Sequence, residues 1–554
     1  MNRLKQRARR AFGDVLALWC ALTLLTSLPY ATAALRTPPR HVFTGVLSAY
    51  DDTFTYLAWI KQGAEGHLLM LDKFTSEPHS RQFFLPLWAG LGLFARATGL
   101  PVAAVFHIGR VMAALFLLLA ARAVVGTVMK SRRRVKYTLW LFAFSAGLGW
   151  LLFAANARGY SIWNAPGEAL HGSADLDVPE AITFRSAFAQ VHLTLGAALM
   201  YAAMALVIMA LKQQRKNFAI LAGLAVSLLA VVHPFDVTVV VTVAASAFAL
   251  WPWLSQGSGA DRVRPGLAPS LHLAFWFSVA CVPAVAYLLF LYLSNDVGRQ
   301  WSHVISALSP GPVEYLLGFG IMVLLAAVGF RLLWRRHKGP GCVLLAWAVI
   351  QAILLYAPVS FQRRLVEGMH LPLSIATSVA IFWMATRLHR AGFSKRLRNA
   401  LLAGAIAITA VTNMGFLVAE TSTLAPADPR RYVSDDLVAA FDWLSANAEP
   451  NSILFCAYKT GNIAPALSGM RVYAGHYDLT LRCKEKQDQV EALYAGRISG
   501  QEARNLLASN GAAYCIYGPF EREIASEFSP PDCLVPVHNA GDVQLFKVLT
   551  EPLR

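Results

Sequence analysis

The sequence predicts an α-helical polytopic membrane protein with a small α/β domain at its C-terminal end. Three observations predict it. The chain has 554 residues, 56% of them hydrophobic and only 15% charged, more apolar surface than a soluble domain can bury. The apolar residues gather in about eleven stretches, each near the ~17–25 residues that a spanning helix needs. The basic residues sit in short clusters between those stretches, which is the positive-inside pattern. That placement also argues against nucleic acid as the reason for the net charge of +17.

The elements follow in order. Arg3, Lys5, Arg7, Arg9 and Arg10 precede an apolar run over 11–34. Ala31-Thr32-Ala33 could pass for a signal-peptidase site, but the run exceeds the ~7–15 residues of a signal h-region. It reads as an uncleaved first helix. Further spans are expected at 101–126, 137–155, 187–211, 217–232, 236–254, 270–293, 313–333, 341–357, 371–386 and 399–419. The pair 217–232 and 236–254 is short and broken only by His233-Pro234-Phe235-Asp236. The connections at 130–136, 212–216, 255–266, 331–338 and 387–398 are basic, with Asp261 the only acid among them. By positive-inside logic they face the cytoplasm with the N-terminus. The segments 35–100, 156–186, 233–236, 294–312 and 358–370 then form outer loops, and an odd number of spans places residues 420–554 outside. The expected setting is a bacterial inner membrane, with a membrane domain over 1–420 and an extracytoplasmic α/β domain over 421–554.

In the tail, a capped helix starts at Ser434 with Leu437, Val438, Phe441 and Leu444 on one face. Strand-like runs follow at 453–458, 471–474, 513–517 and 543–548, with helical stretches near 485–495 and 501–509. Cys456, Cys483, Cys515 and Cys533 could form two disulfides there, with three possible pairings. No C-x-x-C spacing points to zinc.

The outer loops concentrate ionisable groups. Asp51 and Asp52 stand at the expected start of a helix, where the macrodipole favours carboxylates. An ordinary N-cap explains one of them and leaves the second without a role. Tyr56, Trp59, Ile60 and Gly63 repeat at helical spacing, and residues 83–97 form a second apolar piece; both read as helices lying in the membrane interface. The same loop offers Asp72, Lys73, Glu77, His79 and Arg81, and the next offers Glu168, His171, Asp175, Asp177 and Glu180. His192 lies inside a span, where ionisable groups are costly and often functional. His233 and Asp236 flank a helix-breaking proline, and simple punctuation explains them equally well. Arg363 and Arg364 stand on the side where positive charge is disfavoured. A phosphate explains them, because Arg binds phosphate oxygens bidentately; a salt bridge to Glu367 or another loop acid is the bland alternative.

This layout resembles the GT-C superfamily of integral-membrane glycosyltransferases. The likeness rests on the acidic pair Asp51-Asp52 before an aromatic-rich helix, the long first outer loop, the many spans and the C-terminal outer domain. The runs QRRLVEGMHLP (362–372) and AFDWLSAN…AYKTGN…RVYAGHYD (440–478) are similar to segments of uncharacterised bacterial members. The resemblance implies transfer of a sugar from a polyprenyl-phosphate-linked donor to an envelope acceptor: a glycolipid, a polysaccharide or a protein. A single displacement with inversion needs one base and no covalent intermediate. Asp51 or Asp52 is the expected base, with Arg363, Arg364 and His370 on the donor phosphate. His79, Arg81, Glu77, Glu168, Asp175, Asp177, His192 and His233 are the expected substrate contacts. Some members of the superfamily use a divalent metal and others do not; the expectation is none, although the acids suffice for one. The rival readings are a lipid-linked glycan transporter or flippase, and a polymerase or ligase of unrelated fold. A transporter would carry its charges nearer the midplane and often shows internal repeats.

Overall fold

A computed structural model of the chain describes residues 2–152, 172–254, 266–294, 307–336, 339–422 and 428–549. The chain divides into two compact units. One comprises Pro29–Ile108, Leu291–Ile305 and Thr423–Arg554; the other comprises Met1–Leu28, Gly109–Phe290 and Ser306–Ser422.

The first unit is mixed α/β, and in it the expected first outer loop folds together with the tail. Strand β1 (His41–Phe43) pairs antiparallel with β4 (Tyr432–Ser434). Helix α1 (Tyr50–Ala64) packs against helix α2 (Pro86–Thr98), and the short strands β2 (Leu69–Met70) and β3 (Phe83–Phe84) pair between them. The two helices approach closely at Gly92, where a Cβ would lie 2.4 Å from the Ile60 carbonyl oxygen. Tyr56 stacks on Trp88 with centroids 4.5 Å apart. Part of the aromatic stripe is therefore spent on helix packing.

The tail forms a five-stranded sheet from β5 (Ile453–Phe455), β6 (Arg471–Val472), β7 (Ala512–Tyr517), β8 (Leu534–Ala540) and β9 (Val543–Val548). The order is β6-β5-β7-β9-β8. β5 runs parallel to β6 and β7, and β9 runs antiparallel to β7 and β8. The helix expected at Ser434 spans Asp435–Asn447; the Ser434 hydroxyl accepts from Leu437 N, and Leu437, Ala440, Phe441 and Leu444 are buried. The two later helices are Cys483–Tyr494 and Gly500–Ser509, the second with a capping box between Ser499 and Glu502. Helix Tyr458–Leu467 and strand β8 were not expected. All seven cysteines are free, Cys456, Cys515 and Cys533 among the buried ones, so neither disulfide is formed.

Direct bonds explain why residues 35–100 group with the tail rather than with a 1–420 domain. Lys73 Nζ donates to the Gly469 carbonyl at 2.6 Å, and Val472 N donates to the Lys73 carbonyl at 2.9 Å. Arg471 donates to the Thr75 and Glu77 carbonyls at 3.0 and 2.9 Å. Lys486 Nζ reaches Glu77 Oε2 at 2.7 Å.

The second unit is helical. Over the described residues of the whole chain, seven helices are long and apolar enough to cross a membrane, or eight if the bent pair Pro312–Phe319 and Ile321–Arg335 is one span. Lys216–Val232 and Pro340–Leu354 are shorter apolar helices. These helices match ten of the expected stretches. The eleventh, 137–155, is different: helix α3 (Arg132–Phe144) stops at Ser145. The unwound backbone after it is satisfied by protein, as apolar surroundings require. Ala146 N donates to the Thr409 carbonyl, Leu148 N to the Leu317 carbonyl, and Gly147 N and Gly149 N to Asp175 Oδ2. Asn413 Nδ2 donates to the Phe144 carbonyl. Three more helices matter below: α4 (Val191–Gln213), α5 (Asp236–Leu254) and α6 (His370–Arg390).

Candidate functional site

In the mixed unit, the acidic pair opens α1, as expected. The residue before it, Ala49, has φ 47° and ψ 52°, a left-handed conformation that costs a non-glycine residue ~1–2 kcal/mol. Thr53 N closes the first turn onto the Ala49 carbonyl at 2.8 Å. The two carboxylates then meet different neighbours. Asp51 Oδ1 lies 2.6 Å from Arg430 Nη1. Arg430 also binds Asp428 at 2.8 Å and Asn462 Oδ1 at 2.9 Å, and its guanidinium stands 5.0 Å over the Tyr50 ring. Burial alone would lift the Asp428 carboxyl, but Arg430 outweighs it and holds that carboxyl below the usual carboxylate range. Asp52 is half exposed, its Oδ1 3.8 Å from His476 Nε2. Burial depresses the His476 imidazole, but Asp52, with Asp51 behind it, prevails and raises its pKa above the ordinary value. Asp51 is thus held in an ion-pair network, while Asp52 presents a solvent-facing carboxylate beside an imidazole.

In the helical unit, the break at His233-Pro234 brings three side chains together. His233 Nδ1 lies 2.9 Å from Asp236 Oδ2 and 3.2 Å from Glu367 Oε2. All three residues are buried. Glu180 is also buried and acts electrostatically on both carboxylates. The His192 ring centroid is 5.5 Å from that of His233. Glu367 follows a 3-10 turn over Gln362–Val366 that α6 continues. Gln351 fixes that turn, donating to the Leu365 carbonyl at 2.8 Å and to the Glu367 carbonyl. Arg364 packs its guanidinium 5.0 Å over the Phe235 ring, and its positive charge acts on both Asp236 and Glu367. The Nε atoms of Arg363 and Arg364 are buried without hydrogen-bond partners among the described residues.

Most of the other expected contacts have partners within the protein. His370 spends one ring nitrogen on Ser145 Oγ at 3.0 Å and the other on Thr183 Oγ1 at 2.8 Å, which leaves neither for a phosphate. Asp175 Oδ2 caps Gly147 and Gly149, and Oδ1 accepts from the Ser173 hydroxyl. Burial raises its pKa. Asp177 accepts from Ser173 N at 3.0 Å, and its own burial lifts it to about 6. Glu77 is bound to Lys486 and Arg482, His79 to the Glu77 carbonyl, and Arg81 to Gln62 Oε1 at 2.6 Å. Glu168 and His171 lie outside the described residues.

Sequence reasoning missed Arg430, Asn462 and His476, because they lie ~380–425 residues from the acids they serve and no local spacing links them. It weighed Asp236 and Glu367 without assigning either a role. The signal that could have found them is the His-x-x-Asp spacing across a proline, which returns two ligating groups to one side of a turn.

No family model matches the sequence, and no curated protein matches it. Solved structures do match. ArnT from Cupriavidus metallidurans, bound to undecaprenyl phosphate, is 13% identical with TM-score 0.52 over 96% of this chain and 97% of its own. The Archaeoglobus fulgidus oligosaccharyltransferase, in a complex with Zn and sulfate, is 13% identical with TM-score 0.53 over 89% of this chain and 67% of its own. Arabinofuranosyltransferase AftD from mycobacteria is 14% identical with TM-score 0.53; it matches 96% of this chain, which spans 41% of AftD. The chain has the GT-C fold of integral-membrane glycosyltransferases.

Proposed function

We propose that this chain is a GT-C glycosyltransferase that moves a sugar from a polyprenyl-phosphate-linked donor to an envelope acceptor. The acceptor would be a glycolipid, polysaccharide or protein, on the outer face of a bacterial inner membrane with the N-terminus in the cytoplasm. The observation that carries the reading is the acidic pair opening α1 within a fold shared with such enzymes over almost the whole chain. Asp52 is the proposed base: its exposed carboxylate takes the acceptor hydroxyl's proton as that oxygen attacks the anomeric carbon. Asp51, tied to Arg430, positions it. Arg363 and Arg364 are proposed to hold the donor phosphate, and cations there stabilise charge building on the leaving group. The displacement is single, so the product is inverted.

The test is transfer of a labelled sugar from its polyprenyl phosphate in proteoliposomes. Asp52→Asn should lower kcat ~10²–10⁴-fold with normal expression and elution. Asp51→Asn should lose less. Full activity in Asp52→Asn would sink the base assignment. The transporter reading gains nothing from the buried acids, which stand near the ends of candidate spanning helices: Asp236 opens α5, and Glu367 lies near the start of the span Gln362–Arg390.

A further inference from the structure

We infer that His233, Asp236 and Glu367 form a divalent-cation site. Two carboxylates and one imidazole are sealed from water there, Asp236 at 0%, Glu367 at 1% and His233 at 2% exposure. With both carboxylates ionised the three would carry net negative charge even if the imidazole were protonated. Burying unpaired charge is expensive, so such a cluster needs a proton or a cation to exist. The unused atoms favour a cation. Asp236 Oδ1 and both oxygens of Glu367 have no well-aligned donor among the described residues. Nearby Glu180 adds a further carboxylate oxygen, Oε2, in the same condition.

The spacing also fits. One ligand atom from each residue lies within 4.8 Å of the other two. Ligands at right angles around a metal, each ~2.1 Å from it, are ~3.0 Å apart; the observed separations from His233 Nδ1 are 2.9 and 3.2 Å. Gly196 on α4 keeps the cradle open. A Cβ there would lie 3.1 Å from Asp236 Oδ2 and 3.4 Å from Glu367 Oε1. Two hard oxygens with one imidazole suit Mn²⁺ or Mg²⁺, and Zn²⁺ less selectively.

The cation's use rests on the transferase reading, although its binding does not. Ionised Asp236 and Glu367 would offset much of the attraction that Arg363 and Arg364 are proposed to exert on the phosphate. A divalent ion would turn the acids into an anchor for phosphate oxygens.

Binding is tested on the purified full-length protein, stripped with EDTA and titrated with Mn²⁺ by electron paramagnetic resonance. One saturable Mn²⁺ per chain with ¹⁴N coupling from the imidazole is expected. The double variant Asp236→Asn/Glu367→Gln should bind at least tenfold more weakly, and His233→Gln should lose the nitrogen coupling. Asp52→Asn should bind as the native chain does. No stoichiometric Mn²⁺ in the native chain, no nitrogen coupling, or undiminished binding in the double variant would each overturn the site. Should the double variant fail to fold, the native titration and the His233→Gln spectrum decide. Transfer that persists without bound metal would sink the cation's proposed use and leave both the binding site and the transferase reading standing; bound metal with a fully active Asp52→Asn would overturn the proposed base and leave the site standing.

Discussion

Asp51 and Asp52 are the same chemical group one residue apart, and their surroundings give them different work. A guanidinium at 2.6 Å occupies the Asp51 carboxylate, whereas Asp52 is half exposed with an imidazole at 3.8 Å. Asp72 shows the opposite effect. Its Oδ1 accepts from Phe74 N, its Oδ2 has no partner among the described residues, and burial lifts the carboxyl to about 7. The unfolded chain releases that proton near pH ~3.9. Between those values the folded state holds a proton that the unfolded state has lost, so stability falls as pH rises from ~4 to ~7 and stays low above. The contribution is on the order of 4 kcal/mol. Asp72→Asn should therefore melt higher than the native protein at pH 8 and little differently at pH 4. Melting curves in detergent at both pH values check this, and an equal offset at the two would refute it.

At the scale of elements, the break after α3 is the least ordinary feature of the helical unit. Its backbone groups point to other elements instead of along a helix, and Asp175 collects two of them. Asp175→Ala leaves Gly147 N, Gly149 N and the Ser173 hydroxyl without that acceptor. Each buried loss costs ~1–3 kcal/mol, so a fall of at least ~3 kcal/mol is expected. Asp175→Asn, which keeps an acceptor oxygen, should lose less. Thermal stability of the two variants in one detergent gives the comparison. The α1–α2 pair depends similarly on a close approach: Gly92→Leu must push the helices apart. Increased protease cleavage within residues 50–98 would report it.

On the scale of the whole molecule, the segment 35–100 is bonded to the tail at several points. Glu77 and the Lys73, Thr75 and Glu77 carbonyls are bound by tail residues, and β1 has β4 as its partner. Ending the chain after Ser422 should leave residues 37–100 open to limited proteolysis while the helical unit stays resistant. A loop as resistant as in the full chain would contradict this.

Ten of the eleven expected stretches were legible because lipid demands long apolar runs; in the eleventh the helix ends at Phe144. The strands at 512–517 and 543–548 were legible from alternation, and the helix at 435–447 from its Ser434 cap. Asp51, Asp52, His233, Arg363 and Arg364 were visible as charges in unusual places. The sequence by itself thus determined the membrane class, most of the helices and which residues carry unusual charge. Only the tertiary structure decided their partners: that Arg430 binds Asp51, that Lys486 binds Glu77, that Ser145 and Thr183 absorb His370, and that Glu367 meets His233. Hydrophobic periodicity is a local property that a stretch of chain carries alone, whereas a charge's role depends on what folding brings within ~4 Å of it, and here those partners lie up to 409 residues away.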